Sequence, residues 1–108
     1  MAKATNTAKK KIIIEGTFTG PVNNHVILDV FRPNSLPDPF DFRKIFNGSF
    51  KETINDLVAG RVYNIDFTGF TTTDFDLKIS GEFDAPNPIT DSFHNTAFSP
   101  GFAIKTNK

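Results

Sequence analysis

Residues 52–67, with the sequence ETINDLVAGRVYNIDF, combine the end of one strand, a tight corner and the start of a second strand. Leu57 supplies an apolar side chain at the end of the first strand, and Gly60 permits a turn that a Cβ atom would strain. From Tyr63 onward apolar and polar residues alternate, as expected for a strand with one buried face. We predict that the Tyr63 ring enters the core while its hydroxyl bonds the backbone a few residues upstream.

The spacing Leu57-x-x-Gly60-x-x-Tyr63 resembles the tyrosine corner between strands E and F of fibronectin type III and other immunoglobulin-like domains. In the fibronectin pattern a proline precedes the glycine, where this chain has Ala59, and the tryptophan typical of those domains is absent. The resemblance covers residues 52–67. It implies an all-β fold, a two-layer antiparallel Greek-key β-sandwich of about seven strands, and it implies no particular chemistry.

The segment before the corner also fits a short helix. Ser49 and Glu52 have the spacing of a capping box, and Gly60 suits the position just after a helix C-terminus. The apolar residues at positions 50, 54, 57 and 58 fall on one helical face. Because the segment is rich in mediocre helix formers, we predict a strand here and keep the helix as the alternative.

Alternating or continuous apolar residues predict further strands at 11–19, 25–32, 40–46, 74–83 and 101–106. Asn47-Gly48 is a favourable hairpin turn, and residues 69–73 are predicted to connect two strands. Both faces of residues 25–32 are apolar, which indicates a central strand or an outer face that meets a partner. We predict a single sandwich domain over residues 11–108, preceded by a disordered basic arm at residues 1–10.

Composition limits the classes of function. The chain has no Cys, which removes disulfides and thiolate chemistry. The formal net charge is zero, but residues 12–104 hold six basic and twelve acidic residues, a charge of −6. An acidic body disfavours a nucleic-acid partner. No segment resembles a signal peptide or a membrane span, so we expect a cytoplasmic protein without membrane contact, or one exported without a cleaved signal.

Motifs for catalysis and cofactors are missing. The chain has two histidines, His25 and His94, and no Gly-x-Ser-x-Gly motif, so a Ser-His-Asp triad has no support from sequence. It also lacks phosphate-binding glycine loops and the histidine spacing of zinc sites. Acidic pairs near predicted loops keep calcium as an alternative: Asp38 and Asp41, Asp74 and Asp76, Glu82 and Asp84. We predict no enzyme activity, no cofactor and no metal.

Apolar residues near prolines and glycines are candidates for an interaction surface: Pro33, Leu36, Pro37, Phe70, Phe98 and Phe102. The competing explanation is that these phenylalanines pack inside the core. We predict a non-catalytic protein–protein interaction or assembly module, able to form homo-oligomers through an edge strand or the aromatic tail. The alternative is a small-ligand or carbohydrate-binding module that uses loops 33–39, 70–74 and 84–88, with or without calcium.

Overall fold

A computed structural model describes residues 8–20 and 23–108. The described residues form seven strands: β1 (Lys9–Phe18), β2 (His25–Arg32), β3 (Phe40–Phe46), β4 (Phe50–Val58), β5 (Val62–Gly81), β6 (Ile89–Phe98) and β7 (Gly101–Lys105). Residues 1–7 of the predicted arm lie outside the described residues. Lys9 and Lys10, also assigned to that arm, already belong to β1.

The 20-residue strand β5 lies at the centre of the sheet. β2 and β1 lie end to end along one edge of β5, pairing with residues 64–70 and 75–81. β7 and β6 lie end to end along the other edge, pairing with residues 62–66 and 69–79. β3 then pairs with β2 and β4 pairs with β1, all antiparallel. Seven strands therefore belong to one continuous sheet.

The sheet curls until it nearly closes, and backbone hydrogen bonds join it at one corner. Asp84 N donates to Lys105 O at 2.8 Å, and Asn107 N donates to Glu82 O at 3.1 Å. Residues 82 and 84, just after β5, are thus hydrogen-bonded to residues 107 and 105 at the end of β7. β7 itself pairs with the start of β5. We call residues 58–61, 82–84 and 105–107 the seam. The result is a nearly closed, barrel-like sheet.

The core fills the inside of this curled sheet. Successive side chains of a strand point to opposite faces, and β2 accordingly alternates between half-buried and buried residues along its whole length. The largest aromatic cluster surrounds Phe75, whose ring centroid lies 4.5 Å from that of Phe18 and 4.8 Å from that of Phe98. Burial of each such ring contributes about 2–3 kcal/mol to stability, so the phenylalanine-rich composition mainly builds the core.

Gly16 shows how closely these rings are packed. A Cβ atom on Gly16 would lie 2.3 Å from an atom of the Phe50 ring and 2.8 Å from an atom of the Phe75 ring. Both distances are far below van der Waals contact, so the rings occupy the space that any side chain would need. A side chain at position 16, on the buried face of β1, would therefore force the Phe50 and Phe75 rings to move.

The predicted two-layer sandwich, and with it the likeness to immunoglobulin-like and fibronectin type III domains, is wrong. The prediction divided residues 62–83 into two strands joined by a connection at 69–73, whereas β5 runs through that region without a break. Because β5 is continuous, every other strand is linked through it to the same sheet. Two separate facing sheets therefore do not form.

The predicted hairpin at Asn47-Gly48 is also wrong, because β3 and β4 do not pair with each other. They pair with β2 and β1, and so continue in the same direction along one edge of the sheet. By contrast β2 and β3 have the predicted bounds. Residues 50–58 form strand β4, so the helix alternative does not apply.

The local corner is present even though the predicted sandwich is absent. Leu57 and Tyr63 are buried, and Val58 N donates to the Tyr63 hydroxyl at 2.8 Å. Gly60 has φ = +72°, a left-handed backbone conformation that favours glycine. Here the corner joins β4 to β5 at the seam.

Candidate functional site

The outer strands of the sheet leave two backbone edges without a strand partner. Among the described residues β3 pairs only with β2, and β4 pairs only with β1. On the opposite side β6 and β7 each pair only with β5. The unpaired N–H and C=O groups of an edge strand are a template on which another strand can add. Outside the seam, these edges are the candidate site.

β3 forms the more apolar of the two edges. Its inward-facing residues Phe40, Phe42 and Phe46 pack against the core but are only partly buried. Phe46 also stacks on Phe50 with ring centroids 3.9 Å apart. On the outward face Ile45 is 56% exposed, the highest value among the exposed large apolar residues of the described chain. We call Phe40–Phe46 the β3 edge.

The outward face of the β3 edge also carries charges of both signs. Asp41 and Arg43 are two residues apart, so they lie on the same face, and both are exposed. The Arg43 guanidinium lies 3.6 Å from the Asp29 carboxylate on β2, and its side chain is 64% exposed. Asp66 of β5 lies directly opposite Asp29. Arg43, Asp29 and Asp66 therefore lie side by side across three neighbouring strands, with Arg43 at the edge.

The edge formed by β6 has a different chemistry. Two of its outward-facing polar residues contact β5, and the first is Ser92, whose Oγ donates to Asp76 Oδ1 at 2.7 Å. His94 Nδ1 likewise contacts Asp74 Oδ1. Apolar contact with the core comes from Ile89 and Phe93 on the inward face. This edge presents no Lys or Arg side chain within β6.

The proline loop between β2 and β3 is held in place by two arginines. Arg32 is buried, and it donates through Nε to Pro37 O at 2.8 Å and through Nη1 to Val62 O at 2.9 Å. Arg61 Nε lies 2.7 Å from Asp38 Oδ2. The loop held by these contacts exposes the predicted surface residues Pro33, Leu36 and Pro37.

The predicted phenylalanines do not share one location. Phe70 is 44% exposed and stacks on His25 with ring centroids 5.9 Å apart. Phe98 is only 6% exposed and stacks between Phe75 and Phe93. Because it is buried, it does not belong to the predicted interaction surface. Phe102 is half-buried, with its ring edge-to-face against a core phenylalanine.

The proline loop and Phe70 lie at opposite ends of β2. The loop follows Arg32, whereas Phe70 pairs with His25, the first residue of the strand. Seven strand steps separate these ends by about 23 Å. In addition, residues 70–74, predicted as a binding loop, lie within β5. The structure therefore separates residues 70–74 from loop 33–39.

The β3 edge was missed as a site because sequence periodicity identifies a strand but not its position in the sheet. The signal that was available is Ile45, an apolar residue on the face that also carries Asp41 and Arg43. Such a residue interrupts an otherwise charged face, and edge strands are the usual place for exposed charges. Pairing information was needed to see that β3 has one free side.

Residues 8–20 and 23–108 enclose no cavity. In the same part of the chain no three His, Asp or Glu side chains are grouped so as to hold a metal ion. His25 contacts Asn47 and His94 contacts Asp74, and both pairs are exposed to solvent. Ser92 bonds Asp76 rather than a histidine.

Within the described part of the chain there is no helix of the length and apolarity needed to cross a bilayer. Comparisons with protein-family models, with curated proteins and with solved structures found no match for this chain.

Proposed function

We propose that this protein is a non-catalytic assembly module that associates with other protein chains, including copies of itself, through the β3 edge. The observation that carries the proposal is the combination of a free backbone edge with an exposed apolar side chain, Ile45, on the same strand. Addition of a strand to such an edge supplies main-chain hydrogen bonds, while the side chains on both faces supply specificity.

The side chains beside the edge support this choice over β6. Ile45 lies next to half-buried Ile27 on β2, so the outward face has an apolar area at the edge. On the inward face Phe40 and Phe42 contact the core while remaining partly exposed. A strand added beside β3 would cover these rings further. Along β6 the outward-facing Ser92 and His94 already contact carboxylates of β5.

Association is tested by light scattering coupled to size-exclusion chromatography over a concentration series up to about 1 mM, the micromolar-to-millimolar range of weak complexes. We expect a mass that rises above the 12.0 kDa of one chain. A mass that stays at one chain throughout the series would contradict self-association.

A matched pair of variants identifies the edge. Ile45→Lys places a charge on the β3 edge, a device that natural edge strands use against pairing, and we expect it to shift the protein toward one chain. Thr96→Lys makes the same change at an exposed position of β6, and we expect it to leave association unchanged. The reverse result, dissociation by Thr96→Lys alone, would assign association to β6.

A further inference from the structure

Symmetry restricts how an edge strand can pair with its own copy. Two identical antiparallel strands in one sheet are related by a two-fold axis perpendicular to the sheet, which keeps each face on its own side. A residue therefore lies opposite a residue of the other copy that belongs to the same face. The β3 residues on the outward face, which would lie opposite residues of the second copy, are Asp41, Arg43 and Ile45.

The charges on this face distinguish among the possible registers. If the axis passes through Arg43, two guanidinium groups lie opposite each other, and if it passes through Asp41, two carboxylates do. Like charges directly opposite each other on neighbouring strands are destabilising. If the axis passes through Phe42, Asp41 of each copy lies opposite Arg43 of the other copy. This register forms two equivalent ion pairs.

The other edge strands are less suited to such pairing. In β4 the irregularity between Ile54 and Leu57 places Asp56 on the outward face together with Lys51, but that strand has no exposed large apolar side chain like Ile45. In β6 the charged residue is Asp91, with His94 on the other face, and in β7 it is Lys105. Self-pairing of β6 or β7 gains no Lys–carboxylate or Arg–carboxylate contact on one face.

We infer that two copies of this chain pair β3 with β3 antiparallel about a two-fold axis at Phe42, with Asp41 opposite Arg43 of the second copy on both sides. This inference rests on the proposed function and specifies its partner and register.

Local geometry agrees with this arrangement over residues 40–44, which the register pairs with one another, while Ile45 lies opposite Pro39 of the second copy. Arg43 is 64% exposed and already lies 3.6 Å from Asp29 on its inner side. A guanidinium has five N–H donors in a planar fork, so it can bind a carboxylate on each side. The second copy would place Asp41 on the outer side of Arg43. On the inward face the two half-buried Phe42 rings would lie opposite each other.

Charge reversal tests the register directly. Asp41→Arg creates a chain with two cations at these positions, and Arg43→Asp creates one with two anions. In each homodimer like charges would then face each other, and such contacts are strongly unfavourable at interfaces. We expect each variant alone to raise the dimer dissociation constant by about 100-fold, measured by sedimentation velocity.

The decisive sample is the equimolar mixture of the two variants. In a heterodimer the two cations of the Asp41→Arg chain would face the two anions of the Arg43→Asp chain, so every pair is again complementary. We therefore expect the mixture to recover dimers, and the double variant D41R/R43D to dimerise alone. Thermal melting of each single variant at low concentration checks that the chain is folded.

The outcomes separate the register from the proposed function. A wild-type protein that stays a single chain overturns both the register and the proposed self-association. A wild-type dimer that Asp41→Arg leaves intact overturns the register while association stands. Variants that become single chains but do not recombine when mixed also overturn the register, because complementary charges would then fail to restore the contact.

Discussion

The seam and the β3 edge are two places where the same sheet ends. They differ in whether their polar groups are hydrogen-bonded within the chain. At the seam Thr106 is fully buried, and its hydroxyl donates to Val58 O at 2.7 Å and accepts from Arg61 N at 2.9 Å. At the β3 edge the outer backbone side has no strand partner among the described residues, and Ile45 remains exposed.

The difference shows that polar groups at the seam are satisfied within the chain, whereas those at the β3 edge are left to solvent or a partner. A buried backbone group without a hydrogen bond is costly, so the seam depends on each of its side-chain partners. An exposed edge can instead bond water, so changes there affect stability little. Substitutions should therefore reduce stability at the seam and association at the β3 edge.

The largest loss of stability is expected from Thr106→Val, which preserves shape but removes the hydroxyl. Both Val58 O and Arg61 N then lose a bond in a partly buried place, which costs about 2–4 kcal/mol in total. Urea denaturation measures the change. Thr96→Val is the control on exposed β6, with an expected change within about 0.5 kcal/mol. Equal losses for the two variants would contradict the distinction between seam and edge.

Tyr63→Phe should have a smaller effect of the same kind. The ring stays in the core, but the Val58 N–H loses its acceptor, and one unpaired buried donor costs about 1–2 kcal/mol. The midpoint of urea denaturation should fall while the slope stays constant, because the surface exposed on unfolding is unchanged. An unchanged midpoint would show that water replaces the phenol at the corner.

The smallest effect on stability is expected from Ile45→Lys, the variant that should dissociate the assembly. Its side chain is mostly exposed, so we expect the free energy of unfolding of the single chain to change by less than about 0.5 kcal/mol. The measurement is made at a concentration where dimers are absent, because association itself adds stability. A loss above about 1.5 kcal/mol would mean that Ile45 contributes to folding rather than to association.

The corner and most of the strands were predictable from sequence to the degree that they depend on neighbouring residues, whereas β6 was not predicted. Tyr63 reaches a backbone group five positions away, so the spacing of Leu57, Gly60 and Tyr63 contains most of the needed information. The bounds of β2 and β3 followed from periodicity for the same reason. The candidate site was not predictable in this way, since Phe98, predicted as a surface residue, is buried by distant strands, and exposed Ile45 was not singled out from sequence.

Gly69 shows why the fold prediction failed. The glycine and the three threonines within residues 69–73 favour a connection by sequence, but these residues continue β5. A Cβ on Gly69 would lie 1.9 Å from His25 O, so the glycine permits close approach of the β2 backbone. Glycine within a strand can serve that purpose, or it can mark a bend or a bulge. Which purpose applies depends on residues more than forty positions away.

The amino-acid sequence alone determined that the chain is all-β, that its body is acidic and that a tyrosine corner lies near its middle. Only the tertiary structure decided that β5 is continuous, that one sheet curls to a nearly closed barrel, and that β3 keeps a free edge. The physical reason is range. Side-chain periodicity and turn geometry act over a few residues, whereas strand pairing and closure depend on hydrogen bonds between segments that are distant along the chain.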